Sequence, residues 1–244
     1  MNIIQPDWPA PSRVKAVMTT RAGGVSRGHY SSLNLGAHVG DDPVAVTQNR
    51  ALLQSALKLS GEPLWLQQVH GCDVVEREQV SAGCEADAIC AMTPGQVCAV
   101  LTADCLPLLL CDRLGTRVCA VHAGWRGLEG GVIEAALRRF DCPGGEVLAW
   151  LGPAIGPERF EVGGEVRKRF VEQNPGAEVA FRAVPGNHWL ADIYLLARQR
   201  LAQCSVGFVG GGQYCTVSDP KRFFSYRRDG MTGRMASLIW IDPD

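Results

Sequence analysis

The chain has 244 residues, 46% of them hydrophobic, with 24 Lys and Arg against 25 Asp and Glu for a formal net charge of −1. That length suits one large domain spanning residues 1–244, with a core that needs no disulfide staples. The near-neutral balance excludes bulk attraction to nucleic acid or to an anionic membrane. Residues 1–21, MNIIQPDWPAPSRVKAVMTTR, show no apolar segment behind a basic start. No run of about 18 apolar residues follows, so a cytoplasmic protein without export signal or membrane span is expected. The ten cysteines include no C-x-x-C pair. Cys90, Cys98, Cys111 and Cys119 sit in runs of Val, Leu, Ile and Ala, where a free thiol behaves as a small hydrophobe. Reduced core thiols are expected rather than a disulfide scaffold.

In chain order, DDPVAVTQNRALLQSALKL predicts a helix, with Asp42 as cap, Pro43 in the first turn, and Val46, Leu53 and Leu57 on one face. PLWLQQVHG reads as a strand ending at His70. QVCAVLTADC, LPLLLCD and RVCAVHAG are short apolar runs typical of buried strands. GGVIEAALRRF and WLADIYLLARQRLAQ read as amphipathic helices. EVLAWLGPAIG, CSVGFVGGG and RMASLIWI read as further strands. Consecutive strands mixed with helices predict an α/β (α+β) domain built on mixed sheets.

The segment from Thr102 to Gly127 holds Cys105 and His122 on either side of the turn DRLGT. A two-residue loop pairing Asp112 with Gly115 sets Cys105 opposite His122, with β-carbons about 4.5–5.5 Å apart. A three-residue loop shifts that register by one. In the closer register a thiolate and an imidazole share reach to one metal ion, and His70 supplies a third donor. One Cys and two His suit zinc and leave a fourth position open. From spacing alone, ordinary core or surface residues are the commoner reading, and a metal-free Cys–His hydrolase fits about as well as zinc. Asp104, read as a strand residue, points away from Cys105. Cys72 stands two residues past His70 as a further soft donor. His188 reads as a cap or surface residue.

TTRAGGVS, SLNLGAHVGDDP, WLQQVHG, TADCLPLLL, AVHAGWRG, LGPAIGP and FFSYRRDGMTGRMASLIWI occur in this order over nearly the whole chain. They closely resemble the YfiH-type family of bacterial proteins, known as peptidoglycan editing factors, purine nucleoside phosphorylases or, in older usage, polyphenol oxidases with a laccase domain. The resemblance implies a layered α/β/β/α fold and a metal site, normally zinc, on His70, Cys105 and His122. It implies phosphorolysis of adenosine, inosine, guanosine or methylthioadenosine by phosphate, accompanied by adenosine deamination. The partners implied are thus purine nucleosides and phosphate, and a homodimer is compatible with the sequence.

Phosphorolysis needs an anion site. Arg21, Arg50, Arg228 and Arg234 are the cationic candidates, because guanidinium forks match phosphate oxygens. His38 is a candidate for lining the pocket. Deamination lacks the H-x-E and P-C-x-x-C signatures of cytidine-type zinc deaminases. Physiological laccase chemistry fails a simple inventory, since the five histidines include no H-x-H pair. Copper nevertheless outranks zinc in raw affinity for such a site. Besides the phosphorylase, the sequence leaves open an amidase that edits a peptidoglycan precursor, a metal-free Cys–His hydrolase and a non-enzymatic binding module.

Overall fold

The computed structural model describes residues 1–243. In chain order the strands are β1 (Ile3–Ile4), β2 (Val14–Thr19), β3 (Val74–Glu76), β4 (Ala88–Ala91), β5 (Cys98–Thr102), β6 (Leu106–Asp112) and β7 (Val118–Ala123), then β8 (Val147–Leu151), β9 (Glu161–Gly163), β10 (Phe181–Val184), β11 (His188–Ala191), β12 (Phe208–Gly211) and β13 (Met235–Ile241). The helices are α1 (Pro43–Leu57), α2 (Trp125–Gly130), α3 (Val132–Leu137), α4 (Gly164–Gln173), α5 (Ile193–Gln203) and α6 (Tyr226–Asp229). A six-stranded mixed sheet runs β12-β8-β6-β7-β4-β3, and a four-stranded antiparallel sheet runs β1-β2-β13-β5. A small antiparallel sheet, β10-β11-β9, flanks them.

The central strands are buried on both faces, and their alternation sorts side chains into three cores. On β6, Leu109 and Cys111 join Val118 and Ala120 of β7, Leu148 and Trp150 of β8, and Val100, Met235 and Ile239 of the smaller sheet. These residues fill the space between the two sheets. Leu106, Leu108 and Leu110 face the other way, onto Ile133 of α3, Phe170 of α4 and Leu196 of α5. Leu101, Leu238 and Trp240 pack against Leu53 of α1. The result is the expected α/β/β/α layering. Helix α1 begins as anticipated, with the Asp42 side chain accepting from the Val44 N–H at 2.9 Å.

Several local expectations fail. The hairpin register differs from both loops considered: His122 pairs with Pro107, and Cys111 with Val118. The Asp112 carboxylate accepts from the Thr116 hydroxyl and from the Thr116 and Arg117 N–H groups, closing a longer loop over 113–116. Strand β5 ends at Thr102, so Asp104 and Cys105 lie in the crossover to β6 and not in a strand. PLWLQQVHG forms only isolated bridges. The Gln68 amide instead satisfies both the N–H and the C=O of Leu101, doing with one side chain what a neighbouring strand would do. The helix read from Trp189 starts at Ile193, because His188–Ala191 pairs as β11 and Asp192 caps α5 through the Leu195 N–H. His188 is an exposed strand residue, which keeps the surface alternative and drops the cap, and its ring pairs with Glu161.

All ten cysteines are free thiols. Cys119 lies in the helix-facing core, on the opposite face of β7 from His122. Cys119→Ala is expected to cost about 1 kcal/mol of stability through lost packing and to leave metal content unchanged. Thermal melting beside elemental analysis checks both. Loss of metal from a folded variant would place Cys119 on the His122 face of β7 instead.

Candidate functional site

His122 sits next to the end of β7 on the inter-sheet face, where the core opens. Cys105 ends the crossover Ala103–Cys105, which carries the chain from the four-stranded to the six-stranded sheet. His70 comes from the turn after the Gln68 clamp, with a left-handed backbone (φ 62°). One donor atom from each of the three lies within 4.8 Å of the others, the one such group among the described residues. Cys105 Sγ is 3.8 Å from His70 Nε2, and the imidazole centroids are 4.8 Å apart at 77°.

Asp87, which the sequence did not single out, organises the site. Its wholly buried carboxylate accepts from the N–H groups of Val69 (3.3 Å), His70 (2.9 Å) and Gly71 (2.6 Å), and meets His122 Nδ1 at 2.7 Å. One carboxylate thereby fixes the turn that carries His70 and the ring orientation of His122, leaving Nε2 of each imidazole toward Cys105. Burial alone would raise the Asp87 carboxyl, but His122 and these N–H groups hold it below its usual range. Burial likewise opposes charge at Cys105, yet the His122 imidazolium and hydrogen bonds from both histidines bring its thiol down to about 6. For His122, burial is overcome by the Cys105 thiolate and by Asp87, which push the imidazole up to about 9. A thiolate–imidazolium pair results.

The donor set suits zinc. Bonds of about 2.3 Å to sulfur and 2.0–2.1 Å to nitrogen in a tetrahedron place donor atoms about 3.3–3.6 Å apart. The Cys105–His70 separation of 3.8 Å nearly meets that spacing, and a pair at the 4.8 Å limit closes by about 1.2–1.5 Å. The orienting carboxylate behind a ligating histidine is the usual support for such a centre. Gly124 is required here, since a Cβ on it would stand 2.9 Å from His70 Cδ2 and 3.1 Å from Cys105 Sγ. Cys72 turns away and donates to the Gly127 carbonyl at 3.5 Å.

The site opens into a cleft of about 250 Å³, lined by His70, Cys105, Trp125, Arg126, Ile155, Phe160, Tyr226 and Arg227, among others. Asp104 anchors its wall. With φ 95°, its carboxylate accepts from the Thr216 and Ser225 hydroxyls at 2.5 and 3.0 Å and from the Arg227 N–H at 2.7 Å. The arginines chosen from sequence lie elsewhere. Arg21 and Arg228 line a separate recess of about 490 Å³. Arg21 donates to the Ser31 and Pro220 carbonyls, while Arg228 pairs with Asp229 and binds the Thr216 and Phe223 carbonyls. Arg50 clasps the Leu35 carbonyl and stacks over Trp65. Arg234, bonded to the Thr232 and Gly233 carbonyls, lies within electrostatic reach of Cys105 and Asp104 but does not line the cleft. Burial lowers the imidazole pKa of His38, assisted by Arg234, Arg50 and His122.

A layered α/β/β/α protein with a Cys–His–His centre at the mouth between its sheets is the class defined so far. The chain belongs to the YfiH family, also called DUF152: the family model described as multi-copper polyphenol oxidoreductase laccase matches residues 15–242. A Pseudomonas aeruginosa protein named purine nucleoside phosphorylase is 56% identical over 240 residues, 98% of each chain. Escherichia coli YfiH, given the same activity name, is 54% identical over 241 residues, 98% of this chain and 99% of that one. The crystal structure of a Neisseria meningitidis DUF152 protein superposes with a TM-score of 0.96 at 50% identity, covering 100% of both chains. That of Geobacillus stearothermophilus YlmD gives 0.91 at 28% identity and 99% coverage of both.

Asp87→Asn replaces the carboxylate that faces His122 and the 69–71 turn. Zinc affinity is expected to fall about 10–100-fold. In metal-stripped protein, the midpoint of Cys105 alkylation with pH should move above its starting value near 6, because the imidazolium loses its partner. An unchanged affinity and midpoint would show that Asp87 serves the fold alone.

Proposed function

We propose that this protein is a zinc-dependent purine nucleoside phosphorylase acting on adenosine, inosine, guanosine and methylthioadenosine, with adenosine deamination as a side activity. What carries the reading is the shared name of relatives 54–56% identical over 98% of the chain. His70, Cys105 and His122 would hold the metal, and copper could replace zinc there. Bound zinc supplies a Lewis acid that polarises a substrate oxygen. Trp125, Ile155, Phe160 and Tyr226 offer the apolar and aromatic wall a purine requires. Asp87 keeps both imidazoles in place, and Asp104 fixes the crossover that presents Cys105. In the reaction a phosphate oxygen bonds to C1′ of the ribose. The C1′–N9 electron pair departs with the base, which takes up a proton, giving ribose 1-phosphate. We read residues 1–244 as one catalytic domain, because its site draws on segments from His70 to Arg227. No described helix is long and apolar enough to cross a membrane, and the free thiols fit the cytoplasm.

A second reading rests on Cys105, His122 and Asp87, which stand in the order of a nucleophile, a base and an orienting carboxylate. In metal-free protein this arrangement suits a Cys–His hydrolase.

Adenine release from adenosine is expected to require phosphate, with ribose 1-phosphate matching adenine mole for mole. Equal release in phosphate-free buffer, with free ribose as product, would defeat phosphorolysis. Cys105→Ser separates the two readings. Loss of both zinc and turnover, measured by elemental analysis and product assay, supports the metal site, whereas full zinc with no turnover favours the nucleophilic cysteine.

A further inference from the structure

Phosphorolysis needs a place for a dianion beside the nucleoside, and the arginines picked from sequence do not line the cleft. Two others do: Arg126, at the start of α2, and Arg227, in α6. We infer that Arg126 and Arg227 form the subsite that holds inorganic phosphate, an assignment that rests on the phosphorylase reading above.

The Arg126 guanidinium is exposed, stacks on the Trp125 ring at 4.4 Å and has no ion-pair partner among the described residues. Its N–H fork is available to an incoming oxyanion. Arg227 is held more firmly. Its backbone N–H binds Asp104, one Nη1 donates to the Glu161 carbonyl at 2.9 Å, and its guanidinium lies 5.6 Å from the Phe160 centroid. That leaves its remaining N–H groups for the cleft. The nearby carboxylate of Asp104 is consumed by Thr216, Ser225 and the Arg227 backbone. Among the described residues no acidic side chain forms an ion pair with either guanidinium, so both forks remain open to an anion. Arg228 presents the contrast, with its charge met by Asp229 and its donors by carbonyls. A phosphate between Arg126 and Arg227 shares the cleft with Cys105 and His70, where its oxygen can reach the ribose C1′ of a nucleoside lying along the aromatic wall.

The test uses the purified, metal-loaded protein. Arg126→Gln is the first variant because its side chain makes no structural bond; Arg227→Gln is the second, with circular dichroism and melting to confirm folding. Arg126→Lys keeps charge but loses the fork. Expected for Arg126→Gln is a rise of about tenfold or more in KM for phosphate, with KM for nucleoside nearly constant, and partial recovery in Arg126→Lys. Calorimetric titration with inorganic phosphate gives an activity-independent reading, with heat in the unsubstituted protein and little in Arg126→Gln. Equal phosphate affinity in the protein and in the folded glutamine variants, or no phosphate binding at all, overturns the subsite. If phosphate heat depends on Arg126 while base release ignores phosphate, the anion subsite stands and phosphorolysis falls.

Discussion

The buried carboxylate of Asp87 is the interaction on which the site depends. A wholly buried, unpartnered charge of this kind would cost several kcal/mol. Here it meets three consecutive backbone N–H groups and one imidazole. The same residue also accepts the His122 backbone N–H through its carbonyl at 2.7 Å. Because the residue immediately precedes β4, the central sheet dictates where the 69–71 turn must sit. His70 then adopts a left-handed conformation that non-glycine residues avoid, sustained by surroundings that over-determine it. Both departures from ordinary backbone next to the centre, at His70 and at Asp104, are matched by a buried carboxylate.

Close approach is the second constraint. The motif VHAGWRG packs against the turn of His70 so tightly that Gly124 has no room for a Cβ beside Cys105, and a Cβ on Gly127 would lie 2.7 Å from the Gly71 carbonyl. Side chains at either position would push the turn off and open the donor set. The two sheets contribute in a complementary way. β7 projects His122 from one, while the crossover out of β5 brings Cys105 from the other. A centre assembled across two sheets is rigid because relative movement would have to disturb the Trp150 and Met235 core between them.

Strands β5 to β8, β12 and β13 and helices α1, α3 and α5 were legible because buried runs such as LPLLLCD carry a strong pattern. Short or polar elements such as β2, β4, β9 and α4 went unread. What else escaped the sequence was set by side chains bonding to backbone. Asp112 lengthened the hairpin loop, Gln68 replaced a strand at the edge of β5, and Asp192 moved the start of α5. Hydrophobic periodicity does not record such bonds. Helix α2 was missed because six residues containing Gly127 and Gly130 show little periodicity. For the site, spacing alone left His70, Cys105 and His122 open to several readings, and the resemblance of ordered motifs singled them out. Asp87 gave no signal, since an acid in EADAIC looks like the polar residue of a turn. Arg227 was passed over for Arg228 because sequence does not reveal which of two adjacent arginines faces a cleft, and Arg126 lay unweighed inside AVHAGWRG, whose histidine drew the attention.

The metal and the thiolate–imidazolium pair are competing states of one set of atoms. With Cys105 near 6 and His122 near 9, the metal-free site at neutral pH holds a proton on His122 and none on Cys105. These values belong to the pair acting together. A metal needs the His122 nitrogen unprotonated, so loading at neutral pH expels that proton, while the sulfur is already ionised. Metal affinity therefore rises with pH until about 9 and falls more steeply below about 6, where the thiol must also be deprotonated. The Asp87 carboxylate strengthens both states, by stabilising the imidazolium in one and raising ligand basicity in the other. Retaining a charged pair in the absence of metal keeps the donors close together, so the cleft is shaped before the ion arrives.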